Sequence, residues 1–443
     1  MRMRHAVFLF CLAGVAMLSA CATAPVRQPA GPQVTIDEIA AGIRKHIAAQ
    51  SATNGGQFKL QHNNKELSLE LVRIHLEYLS DLGGGVSFAC VDLVGADGPV
   101  YDVDFFMKGP PGNMTVTATS VHKLNGKPIY LWEQKRDGTW HKVPVKRAPK
   151  QLLGVIGGVD RFEFAYRVKL PELTAPAQLW LPLAESDTFQ RVEVANISAP
   201  GPWRELDESK HGNKVLFLTP GPADGGKTIE VRYHVTRFEK AEYAGAEPQP
   251  QTYLEPEALV PANENFRAIA EQVTHGKTND LARARAIYDH VIETLRYAKY
   301  GSGWGVGDAV NACDSRSGNC TDFHAYFIAV ARAAGIPARF AIGASIPSER
   351  NNGGIDGYHC WAEFFADGKW VPVDISEANK NASLADYYFG HHPANRFELS
   401  KGRDLMVAPQ PASGPINFLA YPVLEMNGKP IKVQTEFLFR RML

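Results

Sequence analysis

At 443 residues the chain is long enough for two to four domains, each with an ample core. Lys plus Arg and Asp plus Glu both number 47, so the net charge is zero and no global field favours nucleic acid or an anionic surface. Basic stripes interleaved with aromatics and phosphate-binding loops are both missing from the sequence, and no cofactor is expected.

The first residues read as a targeting segment. Met1-Arg2-Met3-Arg4-His5 is a basic start, and the apolar stretch at 6–18 is too short to span a bilayer. Leu18-Ser19-Ala20-Cys21 resembles a bacterial lipobox, in which cleavage precedes a cysteine that is then acylated. Residues 1–20 are therefore read as a lipoprotein signal peptide and Cys21 as the lipidated residue. Ala22 stands where an inner-membrane retention signal would place Asp, so by analogy with lipoprotein sorting the anchor is expected in the outer membrane, facing the periplasm. Residues 21–33, rich in Pro, Ala and Gln, read as a flexible tether.

Residues 34–148 form a first module. Thr35-Ile36-Asp37-Glu38 is a capping box, and Ile36, Ile39, Ala40, Ile43 and Ile47 make a helical stripe. Strand-like stretches follow at 67–76, 86–94, 100–107, 114–124 and 128–132, with an Asn125-Gly126 hairpin turn between the last two. One helix followed by a meander predicts an α+β module of cystatin-like type. Asp92, Asp102 and Asp104 fall at alternating strand positions and are read as a solvated face rather than an ion site.

Residues 149–245 carry short alternating strands at 162–168, 178–183, 191–194, 215–218 and 229–238, the pattern of a β-sandwich. Ala246-Glu247-Pro248-Gln249-Pro250-Gln251 reads as a linker into a last domain at 246–443. Its first helix carries Leu281, Ala284, Tyr288, Val291, Ile292 and Leu295 on one face, capped by Thr278 or Asp280. Further strands are expected at 418–423 and 431–439.

The chemistry concentrates in this last domain. Gly318-Asn319 is a turn and N-cap signal, and 320–334 is an apolar helix ended by Gly335 and Pro337. Cys320 thus falls in a first helical turn, where the helix dipole and unpaired N–H groups favour a thiolate and suit an oxyanion. Strands are expected at 340–343, 358–365 and 369–375, the last two joined by a tight turn at Asp367-Gly368. In a hairpin centred on that turn Asp374 lies opposite Trp361. His359 and Trp361 share a face, so His359 and Asp374 become diagonal neighbours about 7–8 Å apart at Cα. Cys320 is the candidate nucleophile, His359 its base and Asp374 the group that orients the imidazole. His324, one turn after Cys320, is a second candidate base, and Glu363 a second candidate orienter. Trp304 is a candidate pocket wall or oxyanion donor, with loop packing as its plainer role, and Asn351-Asn352-Gly353-Gly354 a glycine-rich loop before His359. Cys313 and Cys360 flank the site and are compatible with either a bridge or free thiols.

The motifs Gly-Asn-Cys-Thr-Asp-Phe at 318–323, Gly-Ile-Pro-Ala-Arg at 335–339, Tyr-His-Cys-Trp-Ala-Glu at 358–363 and Trp-Val-Pro-Val-Asp at 370–374 resemble the transglutaminase-like superfamily. The resemblance covers roughly 280–380 and points to its bacterial secreted lipoprotein branch. It implies a papain-related α+β core, with Cys320, His359 and Asp374 at the three catalytic positions and no metal ligand. It further implies acyl transfer or hydrolysis on peptide or protein carboxamides, including a peptidoglycan stem peptide, through a thioester. Animal crosslinking enzymes carry Gln-Cys-Trp where this chain has Asn-Cys-Thr, and no calcium-loop pattern is evident, so calcium-activated crosslinking is not implied. The alternative expectation is a non-catalytic envelope scaffold or binding lipoprotein of the same fold.

Overall fold

The computed structural model describes residues 34–75, 80–82, 85–96, 98–110, 112–134, 140–245 and 249–442. The segments expected as signal peptide and tether, Cys21 included, lie outside the described residues, as does part of the expected linker. Among the described residues no helix is long and apolar enough to cross a membrane.

Helix α1 (Ile36–Thr53) starts at the predicted box: Glu38 N donates to Thr35 Oγ1 at 3.2 Å and Thr35 N donates to Glu38 Oε2 at 2.7 Å. Ile39, Ala40, Ile43 and Ile47 bury against an antiparallel sheet, while Ile36 stays exposed at the helix start. The sheet contains β1 (Phe58–His62), β2 (Lys65–Ile74), β3 (Ser80–Asp81), β4 (Val86–Gly95), β5 (Val100–Lys108), β6 (Thr115–Leu124) and β7 (Lys127–Pro128). Its order is β1-β2-β4-β5-β6-β7, with β3 on β4. Asn125 and Gly126 adopt φ of 50° and 76°, as a two-residue hairpin turn requires. A hairpin of β8 (Tyr130–Gln134) and β9 (Trp140–Pro144) lies across the face away from α1, where Trp132 packs on Phe88 at 5.1 Å between ring centroids.

The second module supplies β10 (Val159–Lys169), β11 (Ala177–Leu183), β12 (Gln190–Ser198), β13 (Trp203–Asp207), β14 (Lys214–Leu218) and β15 (Thr228–Phe238). Phe162, Phe164, Tyr166 and Val168 alternate inward along β10, the period-2 pattern of a strand with one face in a core.

The last domain begins with α2 (Glu264–Thr274), α3 (Asp280–Thr294), β16 (Arg296–Tyr297), α4 (Ala309–Ser315), β17 (Ser317–Gly318) and α5 (Cys320–Ala333). It continues through β18 (Ala338–Ser345), β19 (Asn352–Ile355), β20 (His359–Ala366), β21 (Lys369–Val373), α6 (Ile375–Lys380), α7 (Ala385–Tyr388) and β22 (Arg396–Lys401). It ends in β23 (Val423–Met426), β24 (Lys429–Pro430) and β25 (Gln434–Arg441). Every residue from Cys320 to Ala331 is buried, as a helix apolar on all sides must be. It packs between the sheet β21-β20-β18-β22 and helices α2 and α3. The cap of α3 is Asn279, whose side chain accepts from Ala282 N at 2.8 Å, and neither Thr278 nor Asp280. Asp280 instead pairs with Arg283 at 2.9 Å.

The C-terminal strands leave the core and close the sandwich. Its sheets run β12-β15-β10-β25-β19 and β13-β14-β11-β23-β24. The Asn352-Gly353-Gly354 stretch, expected as a loop, is the edge strand β19 and pairs with β25. A distant partner strand supplied the ladder that the local glycines concealed.

Candidate active site

Asn319 caps α5: its Oδ1 accepts from Thr321 N at 3.0 Å, and its own N–H donates to Asp322 Oδ2 at 2.9 Å. Cys320 is therefore the first residue of the helix and is 2% exposed. The hairpin has the predicted register, with Ala362 opposite Val373 and Ala366 opposite Lys369. Asp367 and Gly368 turn it at φ of 50° and 77°. Extending that ladder by one pair brings Asp374 level with Trp361 and diagonal to His359.

The side chains meet as the register requires. His359 Nε2 lies 2.7 Å from Asp374 Oδ2. Asp374 also caps α6, with Oδ1 accepting from Glu377 N and Ser376 Oγ, each at 3.1 Å. Its Oδ2 further receives Arg396 at 3.3 Å, a guanidinium 1% exposed on β22. Burial alone would raise the Asp374 carboxyl, but the His359 charge and hydrogen bond, and then Arg396, hold it well below the usual carboxylate range.

Cys320 and His359 shift each other in opposite senses. Burial would raise the thiol, yet hydrogen bonds with Cys360 and His359, then the charges of His359 and Lys380, hold it well below its ordinary value. Burial would lower the imidazole, yet the charge and hydrogen bond of Asp374, followed by the Cys320 thiolate, bring it up to about 9. The two shifts have one physical source: the charged form of each group favours the charged form of the other.

His324 is committed elsewhere. Its Nδ1 donates to Cys320 O at 2.7 Å and its Nε2 accepts from Ile375 N at 3.1 Å, so both ring nitrogens hold backbone in a neutral ring. Burial lowers its pKa, in keeping with that tautomer. It ties the start of α5 to the start of α6 and is not placed to take the thiol proton. Glu363 is also engaged away from the imidazole: Arg339 Nε donates to it at 2.9 Å, Tyr243 Oη at 2.8 Å, and Lys240 pairs with it.

Asp322 does more than complement the helix dipole. Its carboxylate receives Gly305 N at 2.7 Å and Gly307 N at 3.1 Å, which ties the loop at 301–307 to the nucleophile helix. Burial, with Cys320 adding to it, raises its pKa to about 6 against those backbone bonds. Trp304 stands 37% exposed on that loop. Cys313 and Cys360 are free thiols; Cys313 lies beside Asn265, and Cys360 faces His324 at 3.6 Å.

A cleft of about 220 Å³ opens at His359. Its walls include Lys299, Asp356, Glu377 and Lys380, and they continue into a cavity of about 400 Å³ whose far side is the N-terminal sheet. Cys320 lines neither space. Arg396 and the cleft-lining N-terminal face were not apparent from sequence: Arg396 looks like any strand arginine, and the face is brought in by domain packing.

Gly343 holds the site together by having no side chain. It pairs with His359, and a Cβ there would sit 1.8 Å from Phe397 O. A carbonyl in a ladder cannot rotate away. Gly343→Ala is expected to push β22, and Arg396 with it, off β18, at a cost of about 3 kcal/mol in urea unfolding. A midpoint unchanged from wild type would contradict this account of the bulge between β18 and β22.

Residues 267–375 match the family described as the Transglutaminase-like superfamily, and the chain carries a transglutaminase-like core. That match supports a cysteine hydrolase or transferase in general. An uncharacterized protein from Haemophilus influenzae is 27% identical over 302 residues, covering 57% of this chain and 81% of the relative. Among solved structures, a candidate cysteine protease from Cytophaga hutchinsonii aligns with a TM-score of 0.45 and 15% identity, over 65% of this chain and 99% of that one. The periplasmic domain of TgpA from Pseudomonas aeruginosa aligns with a TM-score of 0.27 and 18% identity, over 57% of this chain and 84% of that one.

Proposed function

We propose that Cys320, His359 and Asp374 act as a catalytic triad for acyl transfer or hydrolysis on peptide or protein carboxamides. The observation that carries this reading is the 2.7 Å bond from the His359 imidazole to the buried Asp374 carboxylate, in a ring that also acts on the Cys320 thiol. The thiolate attacks the amide carbon and the carbonyl becomes an oxyanion. Thr321 N–H is taken by Asn319 Oδ1 and Phe323 N–H by Asn319 O, which leaves the Cys320 N–H of the first turn as an oxyanion donor. The C–N bond breaks as the imidazolium protonates the departing amine or ammonia, leaving a thioester. Neutral His359 then takes a proton from water, or from a second amine, as that group attacks the thioester and expels the thiolate.

Hydrolysis is the favoured outcome. The cleft at His359 is walled by Lys299, Asp356, Glu377 and Lys380, a polar lining that admits water beside the imidazole. A wall bearing both signs of charge suits a peptide with both carboxylates and amines, as in a peptidoglycan stem. The same proposal includes a lipid anchor at Cys21, an outer-membrane location facing the periplasm, and a cystatin-like reading of the N-terminal module, supported by its single helix across an antiparallel sheet. One observation favours the scaffold alternative: Cys320 is 2% exposed and lines neither cavity.

Thiol labelling separates the two. Alkylation of Cys320 by a small electrophile is expected to outpace that of Cys90, Cys313 and Cys360. Its rate should stay high from mildly acidic pH upward, because the thiol titrates well below its ordinary value of ~8.5. Turnover should fall above about 9, where His359 loses the proton that the leaving group needs. Ammonia or amine release from glutaminyl and stem peptides, with and without added amine, reads the outcome. Equal, slow labelling of all four thiols would leave the scaffold reading standing.

A further inference from the structure

The face of the N-terminal sheet turned away from α1 holds a polar cluster that the acyl-transfer chemistry does not use. Cys90 on β4, Asp102 and Asp104 on β5 and His122 on β6 are all buried. This corrects the solvated face expected from strand alternation: Asp104 is 0% and Asp102 7% exposed, because the β8–β9 hairpin and the last domain cover them.

Register explains the convergence. Cys90 lies opposite Asp104, and Asp102 shares the face of Asp104 two residues on. His122 should alternate into the core opposite Val103. Instead Asp102 pairs with Lys123 and Val103 with Val121, so His122 is the extra residue of a β-bulge. Bulges re-aim side chains, and this one turns the imidazole onto the carboxylates. The ring is stacked on Tyr130 at 4.8 Å between centroids.

The four side chains converge: Cys90 Sγ donates to Asp104 Oδ1 at less than the spacing of two zinc ligands, and the other separations are near that spacing or beyond it. Cys90 Sγ is 2.8 Å from Asp104 Oδ1 and 3.8 Å from His122 Nδ1. His122 Nδ1 is 3.4 Å from Asp104 Oδ1 and 3.9 Å from Asp102 Oδ1, and all four atoms lie within 4.8 Å of one another. Tetrahedral zinc with bonds of ~2.0–2.3 Å has ligand–ligand edges of about 3.3–3.8 Å. Asp102 Oδ1 points into this group, buried and without a hydrogen-bond partner. The remaining oxygens are braced as ligand carboxylates usually are: Asp104 Oδ2 accepts from Tyr130 Oη at 2.6 Å and Trp132 Nε1 at 2.8 Å, and Asp102 Oδ2 pairs with Lys123 at 2.9 Å.

We propose that Cys90, Asp102, Asp104 and His122 bind one zinc(II) ion in a closed structural site. Thiolate and imidazole donors select a borderline metal over calcium or magnesium, and four protein ligands leave no open position. Binding releases the Cys90 thiol proton to solvent. The ion enters from the 400 Å³ cavity, which Cys90, Asp102 and His122 line. It clamps three strands and, through Tyr130 and Trp132, the hairpin above them.

The test loads the chelator-stripped protein with zinc(II) or cobalt(II) alone. One zinc per chain is expected by elemental analysis, and the cobalt form should show a thiolate-to-metal charge-transfer band with tetrahedral d–d absorption. Cys90→Ser should abolish the charge-transfer band, and His122→Ala should weaken zinc binding by at least about 100-fold, more than loss of an outer partner. Cys320→Ala should keep both signals. Absence of stoichiometric zinc in the wild type overturns the proposal, as does a band that survives Cys90→Ser but vanishes with Cys320→Ala. If the variants fail to fold by circular dichroism, the wild-type cobalt spectrum still decides.

Discussion

Cys320→Ala is expected to lower turnover by about 10⁴- to 10⁶-fold, the scale seen when a triad nucleophile is removed. The fold should survive. Alanine is the best helix former, and position 320 is the first of α5, capped by Asn319 whatever side chain follows. The measurements are amide or peptide turnover and thermal unfolding on the same preparation. Activity retained in a folded Cys320→Ala protein would sink the triad outright. Loss of activity with loss of fold would be uninformative, which is why the melting curve belongs in the same experiment. The surviving protein should also lose the fast electrophile label, leaving the slower thiols.

Asp374→Asn probes structure and chemistry at once. Asparagine caps helices nearly as well as aspartate, so α6 should still start at its present residue. What is lost is the charge between the His359 imidazolium and the Arg396 guanidinium, both buried. Turnover is expected to fall by ~10⁴-fold, because the imidazole loses its tautomer and its counter-charge. Stability is expected to fall by about 3–5 kcal/mol, because buried Arg396 loses its hydrogen-bonded counter-charge. The pH dependence of that loss has a defined sign. The Asp374 contribution is present above the ordinary carboxylate pKa and disappears as pH falls through its depressed folded value. The His359 contribution is complete below ~6.5 and is lost as pH rises through about 9. The deficit of the variant should therefore narrow at both extremes. A double change, Asp374→Leu with Arg396→Met, should restore much of the stability and none of the activity. Equal stability of Asp374→Asn and wild type near neutral pH would show that the buried ion pair adds nothing.

Much of the site was legible along the chain because its parts are local. A cap, an apolar run and a terminating glycine define α5 and put Cys320 at its start. The Asp367-Gly368 turn sets a register by arithmetic, and that register carries His359 to Asp374. The N-terminal capping box and the Asn125-Gly126 turn are of the same kind. Where the reading missed, the deciding partner was remote. Asn352-Gly353-Gly354 became a strand because β25 lies beside it. Asp102 and Asp104 were buried by a hairpin and a domain that strand alternation cannot foresee. His122 reached them only through a bulge, which shifts side chains without any mark in residue type.

The sequence by itself thus determined the helix that begins at Cys320, the hairpin that joins His359 to Asp374, and the strand-rich modules before them. These are marked by caps, turns and apolar periodicity between residues a few positions apart, signals that can be read without the rest of the chain. Only the tertiary structure decided that Arg396 stands behind Asp374 and that the last strand completes a sandwich begun some 280 residues earlier. Those outcomes depend on which buried surfaces pack together, and burial is a property of the whole fold.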